Sequence, residues 1–268
     1  MNIFYKLIKI KNININKNIN INIINCNICK MINDCLIINL DSRKDLWDSL
    51  EDFRNKWISE KKSIERIPGV NLKNENNILL QLIAANRINI NGGGFRKNKD
   101  SFLGEIGCYM GHYNCWKYVV DNDLDNCLIL EDGIEFIRND LHNLKINNNV
   151  HILFVNEEMN QLDSNKNFIG YGTQGYVVTK KGAKLLMNKC HTMIMPIDLQ
   201  IRHFCNTKEI IGATLSSPYL KRNNNRIASI DNGITNMNNL NEKQDTNSIL
   251  IRLINNLRKN NINIDDFV

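Results

Sequence analysis

Residues 127–130, Cys-Leu-Ile-Leu, form an unbroken apolar run that stops abruptly at Glu131 and Asp132. A short apolar run of this kind reads as a buried strand. An amphipathic helical pattern beginning near Gly104 leads into it. Ligands of open α/β sheets bind outside the carboxyl ends of the strands. Two carboxylates at that point are placed to hold a metal–diphosphate or to move a proton.

The rest of the chain supplies the matching layers. Residues 36–40 are a second apolar run of strand length, followed by a predicted helix over 43–57 that Asp41 and Ser42 can cap. A strand is expected at 64–67, closed by Pro68-Gly69, and a helix at 78–85. Gly92-Gly93-Gly94 breaks the chain before the long helix. Buried strands are expected at 151–155 and 175–178, with a helix over 180–190. Strands alternating with helices predict an α/β sandwich with a largely parallel central sheet.

That domain is expected to occupy residues 34–220. Residues 1–33 are a low-complexity Ile/Asn/Lys tract, whose bias suggests an AT-rich genome such as that of a large DNA virus or its host. Residues 221–268 turn polar and then place Ile249, Leu250, Leu253, Ile254 and Leu257 at helical spacing. Such a helix docks on the domain or offers a homo-oligomer contact.

A net charge of +6 favours an anionic small ligand, and no dense basic block interleaved with aromatics points to nucleic acid. Eight cysteines lack the rhythm of a disulfide framework, and Cys26 and Cys29 form a lone pair at CxxC spacing. Reduced thiols and a start without a cleavable leader pattern suggest a cytoplasmic protein. No segment approaches the ~20 apolar residues of a membrane span.

Several motifs carry a resemblance. GEIGC, then His112 four residues on, Trp116 in the same helix, and LILED are similar to glycosyltransferase family 25. IINLDSRKD, ERIPGV, GYVVTKKGAKLL, MPID and SSPYL follow in the family's order, so the resemblance covers roughly residues 35–220. The family includes bacterial lipooligosaccharide galactosyltransferases and collagen hydroxylysine galactosyltransferases. The resemblance implies a GT-A-like, Rossmann-type α/β/α sandwich. It also implies an inverting hexosyltransferase that uses a UDP-sugar, galactose before glucose, with Mn²⁺ or Mg²⁺. The acceptor would be a glycan or protein hydroxyl, collagen-like hydroxylysine among them, contacted by loops 86–100 and 156–169.

Sugar transfer needs a stabilised diphosphate, a base for the acceptor hydroxyl and a grip on the nucleoside. Glu131 and Asp132 are the candidate metal ligands, since Mg²⁺-like ions take one or two carboxylates plus phosphate oxygens. Asp198, after Pro196-Ile197, is the candidate base, with Asp132 next. Asn39, Asp41 and Arg43 close the first strand and are candidates for uracil, ribose and diphosphate. Glu105 is read in the first turn of the long helix, where a carboxylate suits the dipole.

His112 borders the donor site or is a buried, hydrogen-bonded histidine. It also shares a helical stripe with Cys108 and Cys115, a zinc set that would need a further ligand. Gln174 and Tyr176 open a strand, the tyrosine for sugar stacking or for the core. Two departures stand out. Gly133 replaces the last residue of the family's Glu-Asp-Asp, and Gly111 stands where the family has Ser. They keep open an alternative, a catalytically weakened relative that binds a nucleotide sugar or glycan.

Overall fold

A computed structural model describes residues 29–72, 76–89, 95 and 99–223. The tract before residue 29, Cys26, the glycines at 92–94 and the C-terminal helical pattern lie outside the described residues. The first half comprises β1 (Cys29–Met31), β2 (Asp34–Asn39), α1 (Lys44–Asp48), α2 (Glu51–Ser59), β3 (Ser63–Pro68), α3 (Asn76–Ala84), α4 (Lys99–Asp121) and β4 (Asn126–Glu131). The second comprises β5 (Ile134–Phe136), β6 (Lys145–Asn147), β7 (Ile152–Phe154), β8 (Gly175–Thr179), α5 (Lys180–Lys189), α6 (Ile197–Asn206), β9 (Gly212–Ala213) and β10 (Leu220–Arg222).

Six strands form the central sheet in the order β3-β2-β4-β8-β7-β9. Side-chain alternation divides the core between its faces. Cys127 and Ile129 of β4 pack with Ile106, Trp116 and Leu186 from α4 and α5. Leu128 and Leu130 pack on the opposite side with Trp57 of α2 and Leu220 of β10. The molecule is an α/β/α sandwich, as the strand–helix alternation indicates.

β2 runs parallel to β3 and β4, and β7 parallel to β9, but β8 is antiparallel to both β4 and β7. The exception has a cause. A parallel neighbour needs a crossover, usually a helix, and residues 155–174 contain none. The chain leaves β7, loops across the same end of the sheet and runs straight back as β8. This brings Thr173 and Gln174, at the start of β8, beside the ends of β2 and β4.

Three local expectations need correction. The helix over 43–57 is two helices: the Ser49 hydroxyl donates to the Leu46 carbonyl at 2.6 Å, and Leu50 N–H bonds Trp47 O in a tighter turn. Asp41 does not cap α1, for its carboxylate pairs with Arg66 at 2.5 Å. Glu105 is not in the first turn either, because α4 starts at Lys99. Gly104 and Gly107 therefore lie inside the helix. A Cβ on Gly107 would sit 2.3 Å from the Val70 carbonyl oxygen, so glycine is needed there for close packing. β10 pairs antiparallel with β5 from Leu220 to Arg222.

Candidate active site

The carboxyl ends of β2 and β4 are tied by one side-chain bond. Asn39, buried at the tip of β2, donates from Nδ2 to Asp132 Oδ2 at 2.7 Å and to the Arg43 carbonyl at 2.9 Å. Arg66, from β3, donates to Asn39 Oδ1 at 2.9 Å and bonds the Asn39 carbonyl and Asp41 as well. Arg43 is held by a two-pronged contact with Asp45, both distances 3.1 Å, and its charge acts on Asp132. Asn39, Asp41, Arg43 and Asp132 thus form one polar corner, and Arg66 is its clamp.

Glu131 belongs to a second network. Its Oε1 accepts from Thr173 Oγ1 at 2.8 Å and lies 3.2 Å from His112 Nε2. His112 Nδ1 is 2.9 Å from the Tyr176 hydroxyl, which accepts from Trp116 Nε1–H at 2.9 Å. Proton accounting fixes the direction. With Trp116 donating to the Tyr176 oxygen, the phenolic proton finds an acceptor only at Nδ1. His112 then carries its proton on Nε2 and donates it to Glu131. Burial works to raise the Glu131 carboxyl, but the bonds from His112 and Thr173 outweigh it and hold it below its ordinary value.

The same network revises the zinc set. Cys108, His112 and Glu131 offer ligand atoms within 4.8 Å of one another, whereas Cys115 lies in the core. An ion there would take the Nε2 position and displace the hydrogen bond to Glu131. Burial also pushes the Cys108 thiol well above its usual value. Cys35, Cys108, Cys115, Cys127, Cys190 and Cys205 form no disulfides.

Tyr176 is fully buried, so its ring is closed to a sugar; it acts on the cleft only through His112. His112 is likewise buried and reaches the cleft only through Glu131, whose side chain is 26 % exposed. Glu105 is buried beside Cys108, on which its charge acts. Gln174 is buried, accepting from Asn156 Nδ2 at 3.1 Å, while its carbonyl takes the Glu131 N–H.

Asp198 lies in the first turn of α6, where the helix dipole favours a carboxylate. It caps nothing in its own helix; its Oδ2 accepts from the Gly172 N–H at 2.8 Å. Consecutive residues therefore hold the two acidic positions, Gly172 gripping Asp198 and Thr173 gripping Glu131. These two bonds bring Asp198 to the loop that also holds Glu131, and Asp132 follows Glu131 at the end of β4.

Asp132 differs from its neighbour. Burial, with the charge of Glu131, raises its carboxyl to about 6 despite the opposing bond from Asn39. Glu131 and Asp132 each commit one oxygen to these bonds. Two hard carboxylates with an oxygen to spare fit an Mg²⁺- or Mn²⁺-like ion that takes its other ligands from phosphate and water. A cleft lined by Lys30, Asp34, Asp123 and Asp125 lies at the opposite ends of β2 and β4. Its charges are engaged locally, Lys30 with Asp125 and Asp123 with Lys180, and it is remote from this chemistry.

Residues 32–171 match the family model described as glycosyltransferase family 25 (LPS biosynthesis protein). The chain belongs to glycosyltransferase family 25. Human procollagen galactosyltransferase 2 is 26% identical over 189 residues, which is 62% of this chain and 29% of that protein. A glycosyltransferase 25 family member of Drosophila melanogaster is 32% identical over 114 residues, 36% of this chain and 19% of the relative. A putative glycosyltransferase of Haemophilus influenzae is 32% identical over 99 residues, 31% of this chain and 35% of the relative. The match spans only about a third or less of each relative's length.

Arg66 and Thr173 had no role assigned from sequence. Arg66 sits inside ERIPGV, beside the buried Ile67 near the end of β3, a signal that could have found it. Thr173 lies outside every quoted motif and carried none.

Proposed function

We propose that this family 25 chain is a glycosyltransferase that moves a hexose, galactose in the first instance, from a UDP-sugar to an acceptor hydroxyl with inversion. The observation that carries the reading is the neighbouring grip of Gly172 on Asp198 and Thr173 on Glu131. It ties a base candidate and an acidic strand end to neighbouring residues of one loop, which supports a shared role for them. Galactose comes from the names of the procollagen relatives.

Each residue then has a task. Asn39, Arg66 and Asp41 frame the corner for ribose and uracil, and Arg43 adds positive charge beside the diphosphate. Asp198 receives the acceptor's proton, oriented by the Gly172 N–H. Glu131 stays ionised and fixed by His112 and Thr173. Asp132 and Glu131 would hold a divalent ion, which supplies charge neutralisation to the departing UDP.

A panel of UDP-sugars with UDP release as readout tests this, run with simple glycosides and with a hydroxylysine peptide as acceptors. UDP-galactose should turn over, and Asp198→Asn should lower kcat about 10³-fold with the donor KM little changed. Donor binding without turnover for every acceptor would favour the weakened relative. Absence of any UDP binding would end the reading.

A further inference from the structure

The strap that joins Glu131 to Asp198 carries an aromatic ring that the preceding roles leave unused. From 168 to 173, each residue but one has a tertiary anchor. Phe168 exchanges bonds with the Asn206 side chain at 2.8 and 3.0 Å. Arg202 donates to the carbonyls of Ile169 and Gly170, both at 3.0 Å. Gly172 is held by Asp198 and Thr173 by Glu131. Asp198 and Arg202 are one turn apart on α6, so one helix face grips the strap at two points.

The flanking glycines make this backbone obligatory. A Cβ on Gly170 would lie 1.9 Å from the Glu158 carbonyl oxygen. Gly172 has φ +84 and would meet the Gln174 amide at 2.3 Å. Between them stands Tyr171, 56% exposed, and two residues earlier Ile169, 52% exposed. Single exposed apolar side chains need no explanation. Two on one rigid strap, whose next residues bond Asp198 and Glu131, form a preorganised contact surface at little entropic cost. In the strand order β4, which ends in Glu131, lies between β2, which ends in Asn39, and β8, into which the strap leads.

The structure assigns Tyr171, supported by Ile169, as the platform on which the pyranose ring of an acceptor sugar stacks, its hydroxyl then reaching Asp198. A sugar's C–H face packs on the aromatic face while the phenol stays in water. This assignment rests on the reading that the cleft transfers sugars, and its test separates the two.

Saturation-transfer NMR with methyl β-D-galactopyranoside and methyl β-D-glucopyranoside, in the presence of UDP, is the measurement. Wild type should show transfer to the ring protons of at least one glycoside. Tyr171→Ala should lose at least five-fold of it, and Tyr171→Trp should keep it. Thermal stabilisation by UDP should be the same in all three proteins. Unchanged transfer in Tyr171→Ala, or no transfer to either glycoside in wild type, overturns the assignment. Equal loss in Tyr171→Trp overturns stacking in favour of a hydroxyl contact, and loss of UDP stabilisation in Tyr171→Ala moves the residue to the donor side and overturns it too. Glycoside transfer through Tyr171 with no UDP effect in wild type would instead sink the transferase reading and leave the platform standing.

Discussion

Asn39 Nδ2 donates to Asp132 Oδ2 at 2.7 Å, joining residues 93 positions apart at the tips of adjacent parallel strands. The bond favours the ionised carboxylate, yet burial beside Glu131 prevails and Asp132 titrates at about 6. The buried carboxyl prefers its proton. Its contribution to stability is therefore full below the unfolded value near 3.8 and is lost as the pH rises through about 6.

Asp132→Asn should in consequence stabilise the protein at pH 8 while abolishing transfer. A carboxyl raised this far corresponds to about 3 kcal/mol at full weight. Partial solvent access reduces the expected gain to about 1–2 kcal/mol. Urea titrations at pH 8 and pH 4 check it: the gain should be present at the first and vanish at the second. Wild-type activity should rise as the pH passes about 6.

The Trp116–Tyr176–His112–Glu131 chain predicts a second outcome. Tyr176→Phe leaves the buried Trp116 N–H and His112 Nδ1 each without the partner it had. A loss of about 2–4 kcal/mol is expected, since each orphaned polar group costs about 1–3 kcal/mol. Nitrogen NMR of the wild type should show His112 protonated on Nε2. Trp116→Phe and Tyr176→Phe should cost less together than the sum of the two, because they break the same bond.

What was legible in the sequence was whatever periodicity and strand length encode. The apolar runs at β2, β4, β7 and β8 and the acidic end of β4 were all visible as local patterns. The direction of β8 was not, because it depends on the absence of a helix in 155–174, and a long irregular stretch has no pattern to read. The break at Ser49 turns on one hydroxyl reaching one carbonyl. Tyr176 opens a strand beside the cleft by position, but its ring turns inward to Trp116, a choice made by packing. Tyr171 had no local signal except its two flanking glycines.

Those glycines supply a third prediction. Gly172→Ala combines a left-handed backbone with a collision against Gln174. It should cost about 1–3 kcal/mol, typical of strain at such a position, and displace the N–H that orients Asp198. The expected signature is a fall in kcat larger than the stability loss alone explains at a temperature where the variant is fully folded. Circular dichroism and steady-state kinetics on the same sample measure both. Wild-type kcat in a folded Gly172→Ala protein would remove the Gly172–Asp198 bond from the mechanism.

Gly133 offers the sharpest substitution because the space beside its Cα is open. A Cβ there meets no atom within 4 Å, so Gly133→Asp adds a third carboxylate after Glu131 and Asp132 without steric cost. Stability should change by no more than about 0.5 kcal/mol, as at other open surface positions. Mn²⁺ affinity by calorimetry should rise about ten-fold, since each added hard oxygen ligand tightens a divalent site that now has two carboxylates. Asp132→Asn in the same background should reverse the gain. If affinity is unmoved while the variant stays folded, Glu131 and Asp132 do not form a divalent site, and charge on the leaving diphosphate falls to Arg43 and its neighbours.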